Sequence, residues 1–480
     1  MTPSRACLWG LAAKTRCFEL VSADQATLWN RGLDAIVDEL DLPLGFAPDL
    51  ADAARDAVQR GPRGRRTDRT RWPYVTLDPA SSRDLDQAFR LERGSGDDLI
   101  LHYAIADVGA FVAPGDPLDV EAFRRAVTVY LPQRRINLYP SVMSEEAVSL
   151  VPNADRAAVV FTVRVGTDGH PRLDGVERAL IRNRAKLAYS SVTSGDLPDE
   201  FDEFARRIRA AEIARGASRV DFPEQEVILD RAQLTLRFRP RRPVEEHNAA
   251  LSLATNLAVG EALYDAHTGL FRVMPEVDAR REGRLRRTAK AVGLTWEPDR
   301  SLEEFERSLP ADDPRSAAFL VALRRAGGGA SYEPYRPDCR PWHSAIAGTY
   351  AHATAPLRRL QDRYVIEAAL AVAAGREVPE PVALAFEELP RAMARGQQVA
   401  NRAERWAVDL AEAVVLSGRD GEIFDAVVID EHDRGVDIQV TDPAILAHTI
   451  AHRVDPGDRI RVRLRGTDPD ARQVTFERVN

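Results

Sequence analysis

The sequence predicts an α+β fold with a small helical N-terminal region, a central mixed α+β domain and a C-terminal β-barrel of the OB type. Three observations carry this expectation. Residues 1–70 show the apolar spacing of helices and little strand alternation. Residues 71–418 place strand patterns early and helical patterns late, the order of an α+β domain. Residues 419–480 hold short alternating runs between turn residues, the signature of a small barrel.

In the first region, Leu28, Leu33, Ile36, Val37 and Leu40 recur at helical spacing, and Pro48-Asp49-Leu50 opens a second helix through Val58. A short apolar stretch from Ala6 to Ala13, closed by Lys14, reads as part of a helix or a disordered start. In the second region, Val75-Thr76-Leu77, Ala88 to Leu91 and Leu99 to Val108 read as strands. Val159 to Val165 and Arg172 to Leu180, joined at Thr167-Asp168-Gly169, read as a hairpin. Helical patterns follow at 203–214, 245–266, 281–293, 315–326 and 362–374. In the last region, 424–429, 436–440, 459–464 and 473–476 are strand-like, and Asp455-Pro456-Gly457-Asp458 is a strong turn.

At 480 residues the chain exceeds one ordinary core and suggests about two to four units. No apolar run reaches the length of a membrane helix, so no membrane partner is expected. Cys7, Cys17 and Cys339 fit neither a disulfide framework nor a zinc site, which suits a reducing cytoplasm. The formal net charge of −8 excludes a uniformly basic nucleic-acid coat but not a local groove. Four arginine runs stand out: Arg60 to Arg71, Arg237 to Arg242, Arg280 to Arg287 and Arg459 to Arg465. Each alone reads as a solvated face; together, on an acidic protein, they suggest segregated charge of the kind that follows phosphates.

The richest segment is Asp78-Pro79-Ala80-Ser81-Ser82-Arg83-Asp84-Leu85-Asp86-Gln87. On extended backbone Asp84 and Asp86 point the same way, and the intervening loop has the means to bring Asp78 back towards them. Converging anions repel unless a cation sits among them, and oxygen-only donors suit magnesium, Mg2+. A plain polar turn leading into a strand explains the same composition.

The run VTLDPASSRDLDQAF followed by HYAIADV resembles the catalytic domain of the ribonuclease II and ribonuclease R exoribonucleases. Tyr130-Leu131-Pro132, Leu187-Ala188-Tyr189, His352 to Arg359 and Asn401 to Arg405 continue the resemblance in order, from about residue 35 to the C-terminus. It implies a magnesium-dependent enzyme that hydrolyses single-stranded RNA from the 3′ end to nucleoside 5′-monophosphates. Asp78, Asp84 and Asp86 would serve as metal ligands, with Asp86 and Arg358 catalytic. Tyr130, Tyr189, Phe222, Glu404 and Arg358 would hold the RNA. Its setting would be the cytoplasm, as a monomer, with the C-terminal barrel an RNA-binding domain of the type first described in a ribosomal protein. Two departures stand out. Gln87 replaces the fourth aspartate of the family's cluster, bringing a carbonyl oxygen but no charge, which leaves open an RNA-binding protein with weakened or lost turnover. Residues 1–70 carry too little strand pattern for the cold-shock domains that commonly precede this catalytic domain.

Overall fold

A computed structural model describes residues 23–480 except 219–223, 231–232, 240, 311–312, 314, 317–318, 321, 324–328, 433–434, 441, 452 and 480. The stretch from Ala6 to Ala13, Cys7, Cys17 and Phe222 lie outside the described residues, as does part of the helical pattern at 315–326. The described structure begins with helices α1 (Ala23–Glu39) and α2 (Pro48–Arg60). One face of α1 buries Trp29, Leu33, Ile36 and Val37, the spacing that made it legible. Burying such side chains contributes roughly 1.5–3 kcal/mol each. Gly32 faces Leu410 so closely that no side chain fits there without displacing it.

The central sheet is built from β1 (Thr67–Asp68), β2 (Tyr74–Asp78), β3 (Gln87–Arg93), β4 (Leu99–Ala106), β7 (Asp155–Val165) and β8 (Pro171–Ala188), with α3 (Pro117–Arg125) and the small hairpin β5 (Val129–Leu131) and β6 (Arg134–Ile136) between β4 and β7. The strand order is β1-β8-β2-β3-β4-β7. The 18-residue β8 pairs antiparallel with β7 and parallel with β2, so the sheet closes on itself. Its inner side chains, among them Phe89, Leu101, Tyr103, Ile105, Phe161 and Ile181, are almost wholly buried. The closure carries the ends of β2 and β3 and their connecting loop to one end of the sheet.

Around it pack α4 (Phe201–Ala214), α5 (Pro243–Asp265) and the pair β11 (Leu270–Val273) and β12 (Ser331–Pro334), while the hairpin β9 (Glu224–Asp230) and β10 (Gln233–Arg239) joins a second core. Between β11 and β12, α6 (Ala279–Ala291) and α7 (Leu302–Arg307) form a separate small core of Leu285, Ala289, Phe305, Phe319 and Leu323. Then come α8 (Leu360–Ala373) and α9 (Glu380–Leu416). The 37-residue α9 is not anticipated in the sequence, because Pro390 and Gly396 interrupt its pattern. Proline costs a helix its hydrogen bond and glycine its rigidity, yet buried Leu389, Met393, Ala403, Ala407 and Leu410 hold the helix through both.

The last strands, β13 (Ile423–His432), β14 (Gly435–Val440), β15 (Ile445–Ile450), β16 (Arg459–Asp468) and β17 (Gln473–Val479), form a closed barrel in the order β13-β14-β15-β17-β16. A second hydrophobic core joins this barrel to α1, the C-terminal half of α9, β5–β6 and β9–β10.

Candidate functional site

The acidic segment connects β2 to β3. Asp78 ends β2, while Asp84 and Asp86 lie on extended chain just before β3. Lys186 on β8 donates to the carbonyls of Ala80 (2.8 Å) and Ser82 (2.5 Å), fixing the turn. Ser149 Oγ donates to the Arg83 carbonyl (2.6 Å) and accepts from the Leu85 amide (2.9 Å). Leu85 and Asp86 are buried, while Asp84 is only partly so.

Each acid is held differently. Asp86 is 4% exposed. Its Oδ1 accepts from the Leu357 amide at 2.8 Å and its Oδ2 from Arg358 Nε at 3.3 Å. Burial pushes its carboxyl up to about 7, against the pull of Arg358. Asp84 accepts from Tyr130 Oη (2.9 Å) and from Arg135 Nη1 (2.8 Å). The Asp78 carboxyl has no hydrogen-bond partner among the described residues. Burial pushes it up to about 6; Arg358 draws it down and Asp84 adds to the rise.

Arg358 is the common neighbour. Its charge acts on Asp86, Asp78, Tyr130 and Tyr189, and its side chain is 43% exposed, open to an incoming anion. The loop that carries it is tied from several sides. The Ala355 amide and Arg359 both donate to Asp362 at 2.7 Å, and the Thr128 amide donates to the Arg358 carbonyl at 3.0 Å. Tyr189 follows β8, donates its amide to the Asp78 carbonyl (3.2 Å) and accepts at Oη from Asn248 (2.7 Å).

Asp78, Asp84, Asp86, Tyr130, Tyr189 and Arg358 are thus neighbours. Glu404 is exposed on α9 and makes no hydrogen bond or ion pair among the described residues. Asp107, at the end of β4, turns away to pair with Arg66 (2.7 Å) and Arg178 (3.1 Å). Gln87, which replaces the family's fourth aspartate, spends its side chain on protein groups. Its Oε1 accepts from Tyr103 Oη (2.6 Å) and Ser252 Oγ (3.5 Å), and its Nε2 donates to the Thr354 carbonyl (2.7 Å). Sequence reasoning missed Arg135, Lys186 and Ser149, which touch the acidic segment from remote positions, and Asn248, which holds the Leu77 carbonyl and the Tyr189 hydroxyl beside it; none carries a motif of its own.

Among the described residues, no three His, Cys, Asp or Glu side chains converge closely enough to form a ready-made metal cage. Magnesium does not require one. It usually keeps several waters and binds through one or two carboxylates plus substrate phosphates. The Asp78 carboxyl, without a hydrogen bond among the described residues and within reach of the Asp84 charge, is an oxygen donor of the type such an ion takes.

Comparison with known proteins adds the lineage. The RNB domain matches residues 66–372, and the RNase II-type exonuclease C-terminal S1 domain matches residues 422–479. The chain belongs to the RNB family. It is 25% identical to Ribonuclease R of Aquifex aeolicus, over 93% of this chain and 70% of that protein. To Exoribonuclease 2 of an Enterobacter species it is 27% identical, over 85% of this chain and 65% of that one. The chain therefore spans about two thirds of the length of these relatives. Its fold matches Mycoplasma genitalium RNase R in complex with ribose-methylated single-stranded RNA, with a TM-score of 0.84 at 18% identity, covering 94% of this chain and 78% of that one. It also matches yeast Ssd1, a pseudonuclease, with a TM-score of 0.68 at 17% identity, covering 87% of this chain and 55% of that one. Within this RNB chain the mixed α+β domain and the closed terminal barrel are those expected from the sequence. The barrel coincides with the S1 match.

Proposed function

We propose that this RNB chain is a 3′-to-5′ exoribonuclease that hydrolyses single-stranded RNA to nucleoside 5′-monophosphates with the help of magnesium, working as a monomer in the cytoplasm. The observation that carries the reading is the position of Arg358, whose charge reaches Asp78, Asp86, Tyr130 and Tyr189 at once inside a matched RNB domain. A phosphate that met this guanidinium would lie beside Asp86, where the same charge also reaches Asp78, Tyr130 and Tyr189.

Asp78 and Asp84 would hold the ion, with Asp86 completing the acidic edge. Bound there, magnesium supplies a water of lowered pKa and neutralises charge on the phosphate. The chain's own groups do the rest. Arg358 pairs with the scissile phosphate and stabilises the charge that grows on it. The Leu357 amide holds Asp86 in one orientation, so the carboxylate needs no rearrangement as the reaction proceeds. Tyr130, with Arg135 over its ring and its hydroxyl on Asp84, would offer its remaining exposed surface to a base, which holds a strand without reading sequence. Among the described residues no helix is long and apolar enough to cross a membrane.

A second reading rests on Gln87. With its amide consumed by Tyr103, Ser252 and Thr354, that position contributes neither charge nor a free oxygen, and an RNA-binding protein without turnover becomes the alternative. Incubation with 5′-labelled single-stranded RNA, with and without magnesium, separates the two. A ladder shrinking from the 3′ end only with magnesium supports the nuclease. Binding without shortening supports the alternative and overturns the proposal.

A further inference from the structure

The four arginine runs have different fates in the fold. In the first, Arg63 pairs with Asp116, Arg66 with Asp107 and Arg69 with Glu177. In the second, Arg237 pairs with Glu226, Arg239 with Glu245, and Arg242 donates to the Tyr189 carbonyl. These runs mostly tie the fold together. In the third, Arg281 pairs with Asp278, and Arg286 with Glu282 while stacking on Trp296. Arg280, Arg284, Arg287 and Lys290 remain. All four are exposed and none has a carboxylate partner among the described residues. On α6 they stand at i, i+4, i+7 and i+10, one face of the helix, over roughly 15 Å.

The fourth run behaves in the same way at one end. Arg463 and Arg465 share Glu477, whereas Arg459 and Arg461, at the start of β16, are exposed and unpaired among the described residues. The two sets of free cations are joined by packing. Arg315 Nη1 donates to the Gly293 carbonyl (3.3 Å), just past the end of α6 where Lys290 lies. The aliphatic part of Arg315 packs on Gly457, where a Cβ would lie 3.2 Å from Arg315 Cγ. Gly457 belongs to the turn that opens β16. The turn's Asp458 spends one carboxylate oxygen on the Asp455 amide (3.0 Å). Arg315 thus places the end of the helix that carries the third run beside the turn that opens β16.

We propose that the exposed face of α6 is a second phosphate-binding surface, continuous with Arg459 and Arg461, that takes the backbone of single-stranded RNA outside the stretch held at Arg358. These four evenly spaced cations have no ring contact among the described residues, unlike Arg286 on Trp296, which suits a phosphate backbone rather than bases. This inference rests on the RNA-degrading reading of the site, and the test keeps the two apart.

The experiment compares the full chain with a variant carrying Arg280→Gln, Arg284→Gln, Arg287→Gln and Lys290→Gln; glutamine preserves helix propensity. Affinity is measured in chelator against salt, for a short oligonucleotide and for the same sequence with a long 5′ extension. For the extended RNA the slope of log affinity against log salt should flatten by about 0.7 per lost phosphate contact, roughly two to three in all. For the short RNA, affinity, slope and magnesium-dependent hydrolysis should not change. Equal slopes for wild type and variant on the extended RNA overturn the proposal, as does an equal loss on both RNAs. If the wild type binds no RNA of either length, the functional reading itself has failed. Should the fourfold variant not fold, Arg284→Glu alone tests the same surface, and an unchanged extended-RNA affinity again overturns it.

Discussion

The two sides of the acidic site are built on opposite principles. Asp86 and Gln87 sit inside the domain, and besides side-chain partners each reaches a backbone group of the loop from Thr354 to Arg359, the Leu357 amide for one and the Thr354 carbonyl for the other. Asp84 is tied by side chains alone, Tyr130 and Arg135, on the small β5–β6 hairpin. That hairpin leans on α1, where Trp29 Nε1 donates to Gln133 (2.7 Å) and Asp34 pairs with Arg134 (2.6 Å). The buried side is fixed by the chain that also carries Arg358. The outer side is fixed by an element whose position depends on the N-terminal helix. The first should carry chemistry and tolerate nothing; the second should adjust it.

The largest break is Asp86→Asn. Turnover should nearly vanish while RNA affinity stays close to wild type, because binding rests on arginines and aromatics elsewhere. Gel assays of cleavage beside anisotropy measure both. The pH dependence follows from the same burial. Burial pushes the Asp78 and Asp86 carboxyls up to about 6 and about 7, above the ordinary carboxylate range. The folded metal-free chain thus holds protons that the unfolded chain has released. Their contribution to stability is greatest at low pH and is lost as pH rises through those values. A cation displaces those protons, so the magnesium concentration for half-maximal rate should fall as pH rises from about 6 to 8. A flat requirement across that window argues against these two carboxyls as the metal edge.

Next is Arg358→Lys. Losing one charge-stabilising donor costs about 100- to 1,000-fold in rate, and an ammonium does not reproduce a planar two-point contact. Unchanged kcat in this variant would move the phosphate away from residue 358.

Gln87→Asp sharpens the contrast between the sides. Aspartate removes the Nε2 donor and leaves the Thr354 carbonyl without its partner, beside a new charge. An unsatisfied buried group costs roughly 1–3 kcal/mol. The expected result is a lower Tm with no saving in magnesium. A lower magnesium requirement with unchanged Tm would mean that residue 87 faces the metal after all, and that the inner side is less committed to packing than its hydrogen bonds indicate.

What was legible in the sequence divides along the same line. The acids, Tyr130, Tyr189 and Arg358 each stand in a short run that resembles the family; pairing of β2, β3 and β8 gathers the acidic segment and Tyr189, while β5 and the Arg358 loop bring the other two. The barrel and α1 were legible from periodicity. The supporting residues were not: Arg135, Lys186, Ser149 and Asn248 act across gaps that no local pattern records. The roles of the arginine runs were hidden for the same reason, since a carboxylate from another strand decides whether a guanidinium is structural or free. Gln87 shows the limit of resemblance. Its position matched a ligand, and its hydrogen bonds make it a tie between β3, α5 and the Arg358 loop.

The smallest effect is the most discriminating. Trp29→Phe keeps an aromatic ring in the second core but removes the donor to Gln133, a loss of about 0.5–1.5 kcal/mol. If α1 matters only for stability, the rate per folded molecule should not change. If α1 sets the hairpin and the hairpin sets Asp84, kcat should fall a few-fold and the magnesium requirement should rise, with KM for RNA unchanged. Thr449→Val is the control. It removes a buried hydrogen bond of similar size, Thr449 Oγ1 to the Phe476 carbonyl at 2.8 Å, inside the barrel and away from the hairpin. Equal losses of Tm in the two variants, with a changed magnesium requirement only in Trp29→Phe, would show that the outer side of the site is adjusted from the N-terminal helix. Equal kinetics in both would reduce α1 to a packing element and leave Tyr130 and Arg135 to hold Asp84 unaided.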